Sequence, residues 1–200
     1  MSETDRDLTG RADLQTHFRR SSDAKLQFAD DSGDRLLRCA QWVAQSIQQG
    51  GKLMLCGNGG SAADCQHLAT EFVSVLTQDF DRPALPALAL TTDTSFLTAR
   101  SNDYGLETLF SRQVEALGKA GDVLIGISTS GNSPNVLEAL RVARDMEIKT
   151  VGFTGRSGGK MVGVADLVLQ VPSDSVQHIQ ECHITMGHVM VAQVEHILFT

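Results

Sequence analysis

Short apolar runs bounded by glycines and polar turns recur along this chain, and between them apolar residues return at helical spacing. KLMLC (52–56), ALALTT (87–92), DVLIGIS (122–128), KTVGFTG (149–155) and DLVLQV (166–171) each read as a strand buried on both faces. In the first fifty residues DDSGD (30–34) is the one turn cluster, and LLRCAQWVAQSI (36–47) keeps a helical period, so the pattern predicts two helices before the first strand. QDFDRPALP (78–86) reads as a loop. Further helices are expected after the first strand, over 93–118 in two pieces broken near Asn102, Asp103 and Gly105, from about Pro134 to Met146, and from about Ser175 to the end. Strands alternating with helices predict an α/β fold with a five-stranded, doubly wound parallel sheet flanked by helices. Right-handed crossovers then set the loops after the strands along one edge, where ligands bind in such sheets. No composition shift marks a domain boundary: residues 1–50 read as an N-terminal helical extension of the unit formed by 51–200.

The chain has 200 residues, enough for one domain with a sizeable core, and carries a net charge of −7 with no cluster of basic residues. That balance argues against a nucleic-acid footprint or an anionic-membrane patch. It leaves an anionic small molecule open, because hydroxyls, backbone N–H groups and a helix terminus hold phosphate without changing the charge. Cys39, Cys56, Cys65 and Cys182 lack C-x-x-C spacing and read as reduced thiols. MSETDRDLTGRADLQTHF carries no apolar signal region and no apolar stretch reaches membrane-spanning length, so the expected location is cytoplasmic.

Three constellations carry the chemistry. In CGNGGSAADCQHLATEF (56–72) a glycine turn after a strand opens into a helix on which His67 and Glu71 stand one turn apart. Asn58, Gly59 and Gly60 let backbone approach a ligand, and Ser61 is placed to cap the helix. In GISTSGNSPN (126–135) the hydroxyls of Ser128, Thr129, Ser130 and Ser133 surround Gly131 just before a helix with Pro134 in its first turn. That is the composition of a phosphate cradle, although neither the lysine-bearing P-loop nor G-x-G-x-x-G is present. In the last helix, HIQECHITMGHVMVAQVEH (178–196), Gln180 and His188 are eight positions apart and project to one side. Periodicity does not select His188 over His178, His183 or His196.

These motifs, with SND (101–103), TGRSGGKM (154–161) and IQECHITMGH (179–188), resemble the bacterial phosphoheptose isomerases, members of the sugar isomerase (SIS) domain superfamily, over nearly the whole chain. The resemblance implies conversion of D-sedoheptulose 7-phosphate to D-glycero-D-manno-heptopyranose 7-phosphate, the first step toward nucleotide-activated heptose for surface polysaccharides. It makes 51–200 the sugar-phosphate isomerase domain, gives 1–50 a part in oligomerisation, and implies a homotetramer whose active sites draw on neighbouring subunits. It assigns Glu71 as general base and His188 as general acid. Aldose–ketose isomerisation passes a proton between adjacent carbons through an enediol, and a carboxylate with an imidazole suffices for that. It assigns zinc, one per subunit, to His67, Glu71, Gln180 and His188. A metal-bound carboxylate is a weaker base and glutamine an unusual zinc ligand, so the acid–base pair is the firmer half of this assignment.

By the same resemblance Ser61, Ser128, Thr129, Ser130 and Ser133 hold the phosphate. Asn58, Gly59, Gly60, Glu71, Asn102, Asp103 and Gln180 contact the sugar. Relatives commonly carry arginine four residues after the glutamate, where this chain has Val75, which bears on sugar specificity. Two alternatives share the motifs: a non-catalytic sugar-phosphate-binding regulator of the initiator-associating type, which can lose the acid–base pair, and an isomerase for another sugar phosphate.

Overall fold

Every residue of the strand Leu53–Gly57 (β1) is buried, and so is every residue of Val123–Ile127 (β3), which pairs with it in parallel from Leu53↔Val123 to Gly57↔Ile127. The computed structural model describes residues 11–200; the segment 1–10 of the expected N-terminal helical region lies outside the described residues. With Ala87–Ala89 (β2), Lys149–Thr154 (β4) and Leu167–Gln170 (β5) the two strands form one five-stranded, all-parallel sheet in the order β2-β1-β3-β4-β5. The helices are Arg11–Gln48 (α1), Gly60–Val73 (α2), Thr94–Tyr104 (α3), Ser111–Leu117 (α4), Pro134–Asp145 (α5) and Val176–Phe199 (α6), with a 3-10 turn at Gly159–Gly163.

Alternation along the strands splits the core in two. Leu53, Leu55, Val123, Ile125, Val151 and Phe153 face α1, α2 and α6, while Met54, Cys56, Leu124 and Val168 face the α4 and α5 side. The chain starts at an inner strand, moves to the β2 edge, and then crosses back to β3. The order therefore reverses between β1 and β3, and this is the switch point at which the loops after two neighbouring strands diverge to form a crevice. The sequence places its two glycine-containing motifs in those two loops.

Three local expectations change. α1 is one helix of 38 residues, and DDSGD lies inside it. A mid-helix glycine costs about 1 kcal/mol, but the buried stripe Ala24, Phe28, Leu36, Ala40 and Val43 continues in register through the cluster and packs on α6 and β5. β2 pairs over three residues only, because Thr91 turns its hydroxyl to Ala62 O and Asp93 caps α3 by accepting from Phe96 N. The α3–α4 break follows Tyr104, at Gly105 (φ 79°), so Asn102 and Asp103 belong to the last turn of α3. Among the described residues no helix is long and apolar enough to cross a membrane.

Candidate active site

The loop after β3 folds its hydroxyls inward. Ser128 Oγ lies 2.9 Å from Ser133 Oγ and 3.5 Å from Ser130 Oγ. Ser133 is the N-cap residue of α5, yet its side chain makes no capping bond. Pro134 has no N–H and the N–H groups of Val136 and Leu137 are taken by Asn135 Oδ1 and Ser133 O, so the donors this turn offers an anion are chiefly its three converging hydroxyls at the positive end of α5. Gly131 permits the turn: its φ is 66°, and a Cβ there would lie 2.1 Å from Gly158 O. The fourth hydroxyl residue, Thr129, anchors the loop through its carbonyl, which accepts from Gly155 N.

The neighbouring loop after β1 is tied to this one by a reciprocal amide pair. Asn58 Nδ2 donates to Asn135 Oδ1 and Asn135 Nδ2 to Asn58 Oδ1, both at 2.9 Å. Asn135 is buried and the sequence reading passed over it; its signal was an asparagine in the first turn of a helix, where a polar side chain can serve a neighbouring loop. Gly59, not Ser61, is the N-cap of α2, and Ser61 is buried inside the first turn, so the expected capping role is corrected. Val75, four residues after Glu71, lies beyond the end of α2 at Val73 and so is not on the helix that bears Glu71.

α2 and α6 run alongside each other in the same direction. Gln180 packs its amide on Gly60, where a Cβ would lie 2.1 Å from Nε2, and Gly187 admits Leu68, whose Cδ2 would be 2.4 Å from a Cβ. Next to that contact, His67 and His188 meet with their Nε2 atoms 2.7 Å apart, and Glu71 Oε1 lies 3.4 Å from His67 Nε2. At that distance one ring donates its Nε2–H to the other, or both nitrogens turn to a cation. One donor atom from each of His67, Glu71 and His188 falls within 4.8 Å of the others, so the two nitrogens and the carboxylate oxygen fit a metal of zinc's preferences. Gln180, two turns before His188, sits by Gly60. Asn102 and Asp103 are exposed and hydrogen-bonded to each other.

The other histidines of α6 separate by environment. His183 is fully buried, donates from Nε2 to Thr154 O, and is pushed down to about 4 by burial, so it stays neutral. His178 packs against His17, and His196 pairs with Thr200 near the chain end. Asp64, three residues before His67, has a buried Oδ2 without a partner, and burial raises its carboxyl to about 6 against an opposing pull from His67. The four cysteines are free and buried, with Cys39 and Cys56 pushed up to about 12 by desolvation.

Residues 17–155 match the model of the SIS domain family. The chain is 59% identical over 170 residues to a phosphoheptose isomerase of Burkholderia pseudomallei, covering 83% of this chain and 85% of that one. The fold matches a phosphoheptose isomerase structure from Neisseria gonorrhoeae with a TM-score of 0.85 at 43% identity, covering 92% of this chain and 97% of the other. It matches one from Francisella tularensis with a TM-score of 0.87 at 34% identity, covering 98% and 100%.

Proposed function

The chain belongs to the SIS domain family and, within it, to the phosphoheptose isomerases, and on that premise we propose that Glu71 and His188 carry its proton transfers. It is an aldose–ketose isomerase that converts sedoheptulose 7-phosphate to a heptopyranose 7-phosphate in heptose biosynthesis. The observation that carries the residue assignment is the seam between α2 and α6, which brings His188 to His67 and Glu71 beside the switch-point loops.

Glu71 takes a proton from C1 of the open-chain ketose while His188 gives one to O2, which leaves the enediol. The carboxylic acid then returns its proton to C2 and the imidazole accepts the proton of O1, so both groups end as they began. Ser128, Thr129, Ser130 and Ser133, with Ser61 and the N-terminus of α5, hold the phosphate. Asn58, Gly59, Gly60, Glu71, Asn102, Asp103 and Gln180 contact the sugar. The position of Gln180 on Gly60 supports this contact over a place at the metal.

Zinc, one per subunit, would be held by His67, Glu71 and His188 with Gln180 as fourth candidate, and would supply polarisation of the substrate oxygens. The reading includes a homotetramer, supported by the exposed stripe Leu14, Phe18, Leu26 and Leu37 on α1, and a cytoplasmic location, supported by four free thiols. Incubation of the purified protein with sedoheptulose 7-phosphate tests the activity. Loss of aldose formation in Glu71→Gln and His188→Gln tests the roles.

A further inference from the structure

Arg82 is the most deeply buried guanidinium described in the chain, with its side chain 1% exposed, in a loop remote from the phosphate cradle. Its Nε donates to Glu195 Oε1 at 2.6 Å, Nη2 to Glu71 O at 2.7 Å, and Nη1 to Phe72 O at 2.9 Å and Pro83 O at 3.1 Å. Glu195 is itself buried and lies on α6 seven residues, two turns, beyond His188. Ser74 N donates to Thr70 O and closes α2, so the carbonyls of Glu71 and Phe72 are the next to need partners; Arg82 donates to both, and Leu85 N also donates to Phe72 O. Glu71 therefore stands in the final turn of its helix, the turn that frays first, and one planar fork ties that turn to the helix that bears His188.

We infer that Arg82, with Glu195, is a positioning device for isomerisation: it locks the last turn of α2 against α6 and so fixes the distance between Glu71 and His188. This rests on the assignment of those two residues as base and acid. Three features favour positioning over generic stability. The guanidinium binds the backbone of Glu71 itself. Its planar donors reach two successive carbonyls and a carboxylate at once, which the point charge of a lysine cannot reproduce. And the chemistry depends on geometry: misplacing a reacting group by about 1 Å costs about 10²-fold.

The test uses Arg82→Lys, which keeps the charge beside Glu195 and loses the fork. It also uses the double variant Arg82→Met with Glu195→Met, which removes the buried pair without leaving a lone charge, a change that protein folds often tolerate. The comparison is Ile148→Ala, on the opposite face of the sheet, which lowers Tm without touching the seam. Assays run well below every Tm. The expected result is a kcat lower by roughly 10- to 100-fold in both Arg82 variants, with KM within about twofold of wild type. A larger isotope effect with substrate deuterated at C1 should accompany it, because proton abstraction becomes the slow step, while Ile148→Ala keeps wild-type kcat.

Wild-type kcat and isotope effect in a folded Arg82→Lys or double variant would overturn the inference. So would a loss no larger than that of Ile148→Ala. Glu71→Gln in the same series separates the two layers: an active Glu71→Gln removes the underlying assignment, whereas an inactive one beside active Arg82 variants removes only the positioning role.

Discussion

His67 and His188 are 121 positions apart in the chain, yet their Nε2 atoms stand 2.7 Å apart. At that distance one ring donates its Nε2–H to the other or both nitrogens face a cation, and Glu71 Oε1 lies 3.4 Å from His67 Nε2. One seam between two parallel-running helices thus gathers a carboxylate and two imidazoles, while the cluster of serine hydroxyls lies in a different loop. The proposed proton transfers and the proposed phosphate site therefore rest on different elements and can be perturbed separately.

Glu71→Gln and His188→Gln should each remove isomerisation while the circular-dichroism spectrum and oligomeric state stay as in wild type. Both changes keep approximate shape and remove proton-transfer capacity, for which losses of about 10²–10⁴-fold are typical. Near-native turnover by either folded variant would reject its role.

Replacing Ser130 and Ser133 together by alanine should raise KM for the sugar phosphate far more than it moves the unfolding midpoint. Ser130 is exposed and meets only Ser128 Oγ and the N–H of Asn132 in its own loop, and Ser133 makes no bond to its own helix and meets Ser128 Oγ. Free sedoheptulose should be a very poor substrate, since phosphate binding remote from the reaction is what positions C1 and C2. An unchanged KM in the double variant would place the cradle elsewhere.

The strands, the two loops and the helix His/Glu pair were legible because each is a local pattern: an apolar run closed by glycine, hydroxyls around Gly131, a four-residue spacing. What joins them is no local pattern, and only the family resemblance set His67, Glu71, Gln180 and His188 at one site. The meeting of His67 with His188 and the seat of Gln180 on Gly60 depend on the α2–α6 seam, which periodicity does not specify. The DDSGD cluster misled, because packing on α6 and β5 outweighs one glycine's propensity. Arg82 was hidden for the opposite reason: QDFDRPALP has the composition of an ordinary loop, and only the fold shows its arginine entering the interior.

Stability should fall in acid through His183. Its folded value of about 4 lies below the ordinary 6.5 of histidine, so the neutral, buried imidazole contributes fully above pH 6.5, and that contribution is lost as pH falls from 6.5 through 4. The difference corresponds to roughly 3 kcal/mol at most. Urea midpoints measured on metal-free protein between pH 7 and 4 should drop more steeply for wild type than for His183→Gln, which can still donate to Thr154 O without taking up a proton. Parallel curves would show that other groups govern the acid transition.

The last prediction concerns zinc. His67, Glu71 and His188 come from two helices, so an ion held among them stabilises the seam by mass action in addition to any part in turnover. Purified protein should contain zinc near one per subunit, chelation should lower both Tm and activity, and added zinc should restore them. His67→Ala should reproduce the loss of zinc and the lower Tm, because His67 is proposed as a ligand and neither acid nor base. Tm supplies a reading independent of catalysis: a metal that matters only to the seam would shift Tm and leave kcat, and one that matters to both would shift them together. Full activity and an unchanged Tm in thoroughly metal-free protein would return Glu71 and His188 to acid–base catalysis alone, with one imidazole donating its Nε2–H to the other.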